Sequence, residues 1–111
     1  MQRDIVKVYG YLTPCEPDWL PGLKKALRFL GEEADGALCF SGGLLNISYE
    51  GVYFPLEEFL EVLAPLLTAQ SRGKLDYIDM EAWRLTRYNF ENGFITSSAR
   101  DLNDVLAYSG H

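Results

Sequence analysis

The chain of 111 residues contains only two cysteines, Cys15 and Cys39, and one histidine, the terminal His111. This set is too small for a Cys/His zinc site, and the cysteine spacing does not match a redox CxxC motif. A nucleophile that depends on histidine is close to excluded for the same reason. We therefore assign no catalytic, metal-binding or cofactor-binding residue, and the sequence favours a protein that is not an enzyme.

Long apolar runs and an excess of basic residues are also absent. No stretch approaches the length of a membrane span, and no charged-then-apolar leader opens the chain. The 10 Lys and Arg residues stand against 16 Asp and Glu, a net charge of −6, and a field of this sign repels nucleic-acid phosphates and anionic lipids. We expect a cytoplasmic protein that binds a protein partner or itself, with neither nucleic acid nor membrane as a partner.

The chain is rich in aromatic residues. Apolar residues make up 48% of the sequence and charged residues 23%, which is typical of a globular domain, and 14% of the residues are aromatic. One domain, residues 1–111, is the expectation at this length. A core of this size cannot hide every aromatic ring, so we expect some of them on a surface that a partner covers.

Two dipeptides, Gly42-Gly43 and Asn92-Gly93, predict β-hairpins, because both favour the positive φ angles of a two-residue turn. Each lies between segments rich in apolar and β-branched residues. Pairing across the turns aligns apolar residues on one face of the sheet, Phe40 with Leu45 and Phe90 with Ile95.

Helices are predicted from Asp18 to Leu30, from Pro55 onward, and in a short C-terminal segment capped by Asp101. Further strands are predicted at residues 4–12 and 52–54, and the acidic residues 32–36 are expected to form a solvated turn. The fold class is therefore α+β: a single domain with a mostly antiparallel sheet of five or six strands built from hairpins, two main helices and a short C-terminal helix.

The segment from Leu75 to Phe90 is predicted to be one long extended strand, with room for a bulge. Its alternation predicts a core face that contains Ile78, Met80, Ala82, Thr86, Tyr88 and Phe90. The opposite face carries Trp83, Leu85 and Arg87, and Tyr9 and Tyr11 join it if the first strand belongs to the same sheet. Trp, Tyr and Arg are the residues enriched at binding hot spots.

Three interpretations of this second face are open at the level of sequence. Either a helix covers it and Trp83 is a core residue, or it is an interface with a partner or a second copy. Base stacking on the aromatic rings is a third option, which the net charge disfavours. The leading hypothesis is a protein-interaction or regulatory domain, and the alternative is a small-molecule-binding domain or minor enzyme with a pocket of aromatic rings and carboxylates.

Overall fold

The computed structural model describes residues 5–103 of the chain. The strands in this range are β1 Val6–Thr13, β2 Leu38–Ser41, β3 Leu44–Gly51, β4 Arg72–Asp79, β5 Arg84–Glu91 and β6 Phe94–Asp101. These six strands form one antiparallel sheet in the order β2-β3-β1-β4-β5-β6. The helices are α1 Leu20–Ala26, α2 Glu33–Ala37 and α3 Leu56–Leu63, with short 3-10 turns at Pro17–Trp19, Arg28–Leu30 and Ala64–Leu66. The α+β class and the hairpin-built sheet are confirmed.

The core lies between one face of the sheet and the helices. In β1, Val8 and Leu12 alternate with exposed or half-buried residues, and both are fully buried. Leu23 of α1 and Phe59 of α3 are fully buried in the same cluster. The amphipathic pattern of α3 explains this packing, because an apolar residue recurs at each turn and two glutamates occupy the first turn, where the helix dipole favours negative charge. We call this side of the sheet the covered face.

Both predicted hairpins are present with the predicted registers. Phe40 pairs with Leu45 across the first turn, and Phe90 pairs with Ile95 across the second. Gly42 and Gly43 have φ values of 57° and 82°, as a two-residue turn requires.

The prediction of one long strand from Leu75 to Phe90 is wrong. Residues 80–83 form a turn that joins β4 to β5, and Asp79 stabilises it by accepting hydrogen bonds from the backbone N–H groups of Glu81 (3.0 Å) and Ala82 (2.9 Å). The turn pairs Asp79 with Arg84, five positions further along the chain, so odd-numbered residues of one strand share a face with even-numbered residues of the other. Ile78 therefore lies on the face opposite to Thr86, Tyr88 and Phe90. Ile78, Met80 and Ala82 therefore do not belong to the predicted core face.

Three smaller predictions also need correction. Residues 33–37 form α2 rather than a solvated turn, because Ala34 and Ala37 pack into the core on one side of a helical turn. Residues 52–54 form no strand, and Asp18 lies in a 3-10 turn without capping α1. Asp101 does accept a hydrogen bond from the Asn103 N–H (2.8 Å), as a helix cap would. The remainder of the predicted C-terminal helix lies outside the described residues.

Candidate functional site

The second face of the sheet carries no helix among the described residues. Pairing of β1 with β3 and β4 fixes which side chains share it, and none of them belongs to the buried core. Its side chains form rows across the strands: Glu50–Lys7–Ile78–Leu85–Arg100, Ser48–Tyr9–Asp76–Arg87–Ser98, Cys39–Asn46–Tyr11–Lys74–Asn89–Thr96 and Thr13–Arg72–Glu91–Phe94. We call this surface the open face.

An ion pair occupies the centre of the open face. The Arg87 side chain donates two hydrogen bonds to Asp76, from Nε to Oδ1 at 2.7 Å and from Nη2 to Oδ2 at 2.9 Å. Hydrogen bonding to Asp76 is the main cause that raises the pKa of Arg87 above its usual range. The pair therefore holds a planar, permanently charged group in a fixed position on an exposed surface.

Aromatic and aliphatic side chains surround this pair. Tyr9 lies beside Asp76, and its hydroxyl donates a hydrogen bond to the Glu50 carboxylate. Tyr11 is 40% exposed, and Leu85 pairs with Ile78 as a half-buried apolar patch in the next row. Four residues singled out from the sequence, Tyr9, Tyr11, Leu85 and Arg87, are thus brought together on one surface.

Trp83 lies in the turn between β4 and β5, at the end of the sheet. It is 37% exposed, its indole N–H donates to Asn103 Oδ1 at 3.0 Å, and its carbonyl accepts from the Leu102 N–H. Its φ of 55° is in the left-handed region, which bulky residues rarely adopt. Strain of this kind is concentrated at functional sites. Within the described part of the chain, no helix covers the Trp83 side chain.

Charge is divided unequally between the two sides of the sheet. The described open-face strand residues include five basic and three acidic side chains, a local charge of +2: Lys7, Arg72, Lys74, Arg87 and Arg100 against Glu50, Asp76 and Glu91. The segments that cover the other face, residues 14–37 and 52–71, carry three basic and eight acidic side chains. The open face is therefore the positive side of a negative chain.

A shallow cleft of about 340 Å³ lies on the helix side. It is bounded by residues on α3 and β4 and before α3: Tyr53, Pro55, Leu56, Glu57, Glu58, Glu61 and Tyr77. Burial, and then the nearby Asp79 carboxylate, raises the pKa of Tyr77, and burial followed by Glu57 raises the pKa of Tyr88. The lining of the cleft thus combines two phenol rings, Tyr53 and Tyr77, with the carboxylates of α3.

The two cysteines are free thiols, with Cys15 buried and Cys39 exposed. Burial, followed by the charges of Glu16 and Asp18, raises the pKa of Cys15, so its thiol is a poor nucleophile. Across residues 5–103, no group of three His, Cys, Asp or Glu side chains is placed to hold a metal ion. No helix in the same range is long and apolar enough to cross a membrane.

The sequence reasoning missed Asp76 and Ile78 as members of this surface. Their spacing in β4 was a usable signal, because alternation places them on the side opposite to the fully buried Leu75. No protein-family model, curated protein or solved structure matches the chain. The open face and the cleft therefore carry the functional argument by themselves.

Proposed function

We propose that the protein is a protein-interaction domain that binds an acidic protein surface through its open face. One observation carries this proposal: every described helix packs on the other side of the sheet, which leaves tyrosines, an aliphatic patch and a net positive charge uncovered. Tyrosine and arginine are enriched among residues that dominate binding energies. A cytoplasmic location is part of the proposal, and two free thiols support it.

The dimensions of the open face suit such an interface. Five strands of eight residues and one of four, at ~4.8 Å spacing and ~3.3 Å rise, give a flat area of roughly 700 Å². A standard interface buries about 800 Å² on each partner. The face is therefore close to the size of one such interface, and Trp83 is placed to extend it at one end.

The arrangement of charges favours protein over nucleic acid. Three of the five cations lie opposite a carboxylate in the neighbouring strand: Lys7 opposite Glu50, Arg72 opposite Glu91, and Arg87 opposite Asp76. Only Lys74 and Arg100 have no such counterpart on the open face. Nucleic-acid affinity depends on many uncompensated cations along the phosphate backbone, whereas two cations and a hydrogen-bonded pair suit a mixed protein surface.

The test compares capture of proteins from lysate by three forms of the domain. The open-face variant is Tyr11→Ser/Leu85→Ser, and the matched control is Phe29→Ser/Val52→Ser, which removes exposed apolar side chains from the helix side. Loss of two interface anchors should weaken binding by roughly 10- to 100-fold. A genuine partner is retained by the wild type and by the control, is lost by the open-face variant, and elutes as salt rises.

A protein that all three forms capture equally would count against the open face. The same holds for a protein lost only by the Phe29→Ser/Val52→Ser control. Tight binding of a single-stranded oligonucleotide at 150 mM salt, with loss in the Tyr11→Ser/Leu85→Ser variant, would replace the protein partner with nucleic acid.

A second candidate function, favoured by the cleft, is binding of a small organic cation. Phenol rings attract cations over their faces, and the glutamates that line the cleft add a favourable field. Calorimetric titration with tetramethylammonium chloride tests it, and Tyr77→Leu and Glu57→Gln should each weaken binding while Glu33→Gln on α2 should not. No heat beyond that of sodium chloride at equal ionic strength would eliminate this function.

A further inference from the structure

The strand β6 forms one edge of the sheet, and its central residues, Ile95–Ala99, carry no proline, bulge or charged side chain. It runs for eight residues, Phe94–Asp101, with the sequence FITSSARD, pairs only with β5 among the described residues, and has its two charged side chains, Arg100 and Asp101, at one end. Protected edges are short, carry charged side chains or proline, contain a bulge, or are covered by a helix or loop. The other edge, β2, is protected by its length of four residues. An unprotected edge of this length is a template for another strand.

The turn before β6 determines which backbone groups point outward. Asn92 and Gly93 have φ values of 55° and 84°, so the turn is the type I′ form in which the flanking residues exchange hydrogen bonds. Glu91 and Phe94 are these flanking residues, and hydrogen-bonded pairs alternate along the hairpin from there. Ile95, Ser97 and Ala99 therefore direct their N–H and C=O groups away from β5, toward the free edge.

We propose that β6 pairs antiparallel with β6 of a second copy, about a two-fold axis at Ser97. In this register Ser97 faces Ser97 of the partner subunit, and Ile95 faces Ala99 of the partner subunit. The three outward residues of each strand then exchange about six hydrogen bonds. The result is a continuous sheet of two domains, with both open faces on the same side.

The side chains agree with this register on both faces of the sheet. On the open-face side, Phe94, which is 71% exposed, lies opposite Arg100 of the partner subunit, an arrangement that permits a cation–π contact. On the covered face, Ile95 lies against the small side chain of Ala99 of the partner subunit. Two other registers keep the outward-pointing residues paired. A shift of two residues in one direction would place the apolar Ile95 against Asp101 of the partner subunit. The same shift in the other direction would leave Arg100 beyond the end of the partner strand. Charge and apolar matching thus select the register centred on Ser97.

The same arrangement predicts a weak dimer. A single strand pair buries less area than the ~1,200 Å² of stable complexes, so we expect a dissociation constant in the micromolar range or above.

Sedimentation equilibrium of the full chain from 10 μM to 1 mM tests the proposal, with Ser97→Pro as the main variant and Ser97→Thr as its control. Proline at position 97 removes the two hydrogen bonds at the axis and no bond to β5. Ser97→Pro should raise the dissociation constant roughly 10-fold or more while the melting temperature stays close to that of the wild type. If Ser97→Pro fails to fold, Ser97→Lys replaces it, with Asn89→Lys on β5 as a control of equal charge.

Cysteine cross-linking tests the register in a Cys39→Ser background. Ser97→Cys should form a disulfide-linked dimer under mild oxidation, because position 97 meets its own copy. Ala99→Cys should not, because its two copies are about 14 Å apart along the strands. A strict monomer at 1 mM would overturn the proposal, as would equal cross-linking at both positions. A dimer abolished by Leu85→Ser and unaffected by Ser97→Pro would place self-association on the open face instead.

Discussion

Replacing Trp83 by glycine and, in parallel, by alanine separates the cost of its backbone conformation from the contribution of its indole ring. The residue has a φ of 55°, and left-handed backbone costs a non-glycine residue about 1–2 kcal/mol. Both variants lose the indole hydrogen bond to Asn103, worth about 1 kcal/mol, and the packing of a partly buried ring. Only the glycine variant also removes the free-energy cost of the left-handed backbone.

We therefore expect Trp83→Gly to be more stable than Trp83→Ala by about 1 kcal/mol, although a more flexible unfolded chain offsets part of the gain. This difference corresponds to roughly 4 °C in melting temperature for a domain of this size. Urea unfolding followed by the fluorescence of Trp19, the remaining tryptophan, measures it. An alanine variant as stable as the glycine variant would refute the left-handed conformation. If Trp83 belongs to the interface, both variants should lose partner binding equally despite their different stabilities.

Three further predictions concern the scaffold. Gly10→Ala places a Cβ atom 2.8 Å from Leu75 Cα, so urea unfolding should show a loss of about 1–3 kcal/mol, and an unchanged stability would contradict the close approach of β1 and β4. Phe59→Ala removes a fully buried ring and should cost about 3–5 kcal/mol in the same assay; a loss below 1 kcal/mol would contradict its place in the core. The pKa values of Tyr77 and Tyr88 are raised in the folded state, so the folded chain holds protons that the unfolded chain has lost. Stability should therefore fall as the pH rises above about 10, and a constant free energy of unfolding up to pH 11 would contradict this.

The hairpins were predictable because local chemistry determined them. Glycine pairs and Asn-Gly are among the few dipeptides that adopt two successive positive φ angles, and the flanking apolar residues allow only one register. Phe40 and Leu45, or Phe90 and Ile95, meet in the structure as that rule requires. The α+β class followed from the same signals, since hairpins produce antiparallel sheets.

The turn at residues 80–83 was not predictable by the same rules. It contains no glycine, proline or asparagine, and its left-handed position is occupied by Trp83. The Asp79 side chain stabilises it by bonding two backbone N–H groups, an interaction that alternation of apolar residues does not reveal. Because residues 80–83 were predicted to continue the strand, Ile78 was assigned to the wrong face of the sheet. Leu85 and Arg87, which follow the turn, were assigned to the face on which they lie.

The net charge of the chain does not describe the charge that the open face presents to a partner, for a physical reason. A partner meets one face of the molecule, and a Debye length of about 8 Å at physiological salt separates the field of one side of the sheet from that of the other. Strand alternation directs Lys7, Lys74 and Arg100 to the open face, while the helix side holds most of the carboxylates. A nucleic-acid partner is disfavoured by the pairing of cations with carboxylates across neighbouring strands, and the overall charge of −6 adds little to that argument. The relevant quantity is the number of uncompensated charges on a face, which depends on the strand order and so on the fold.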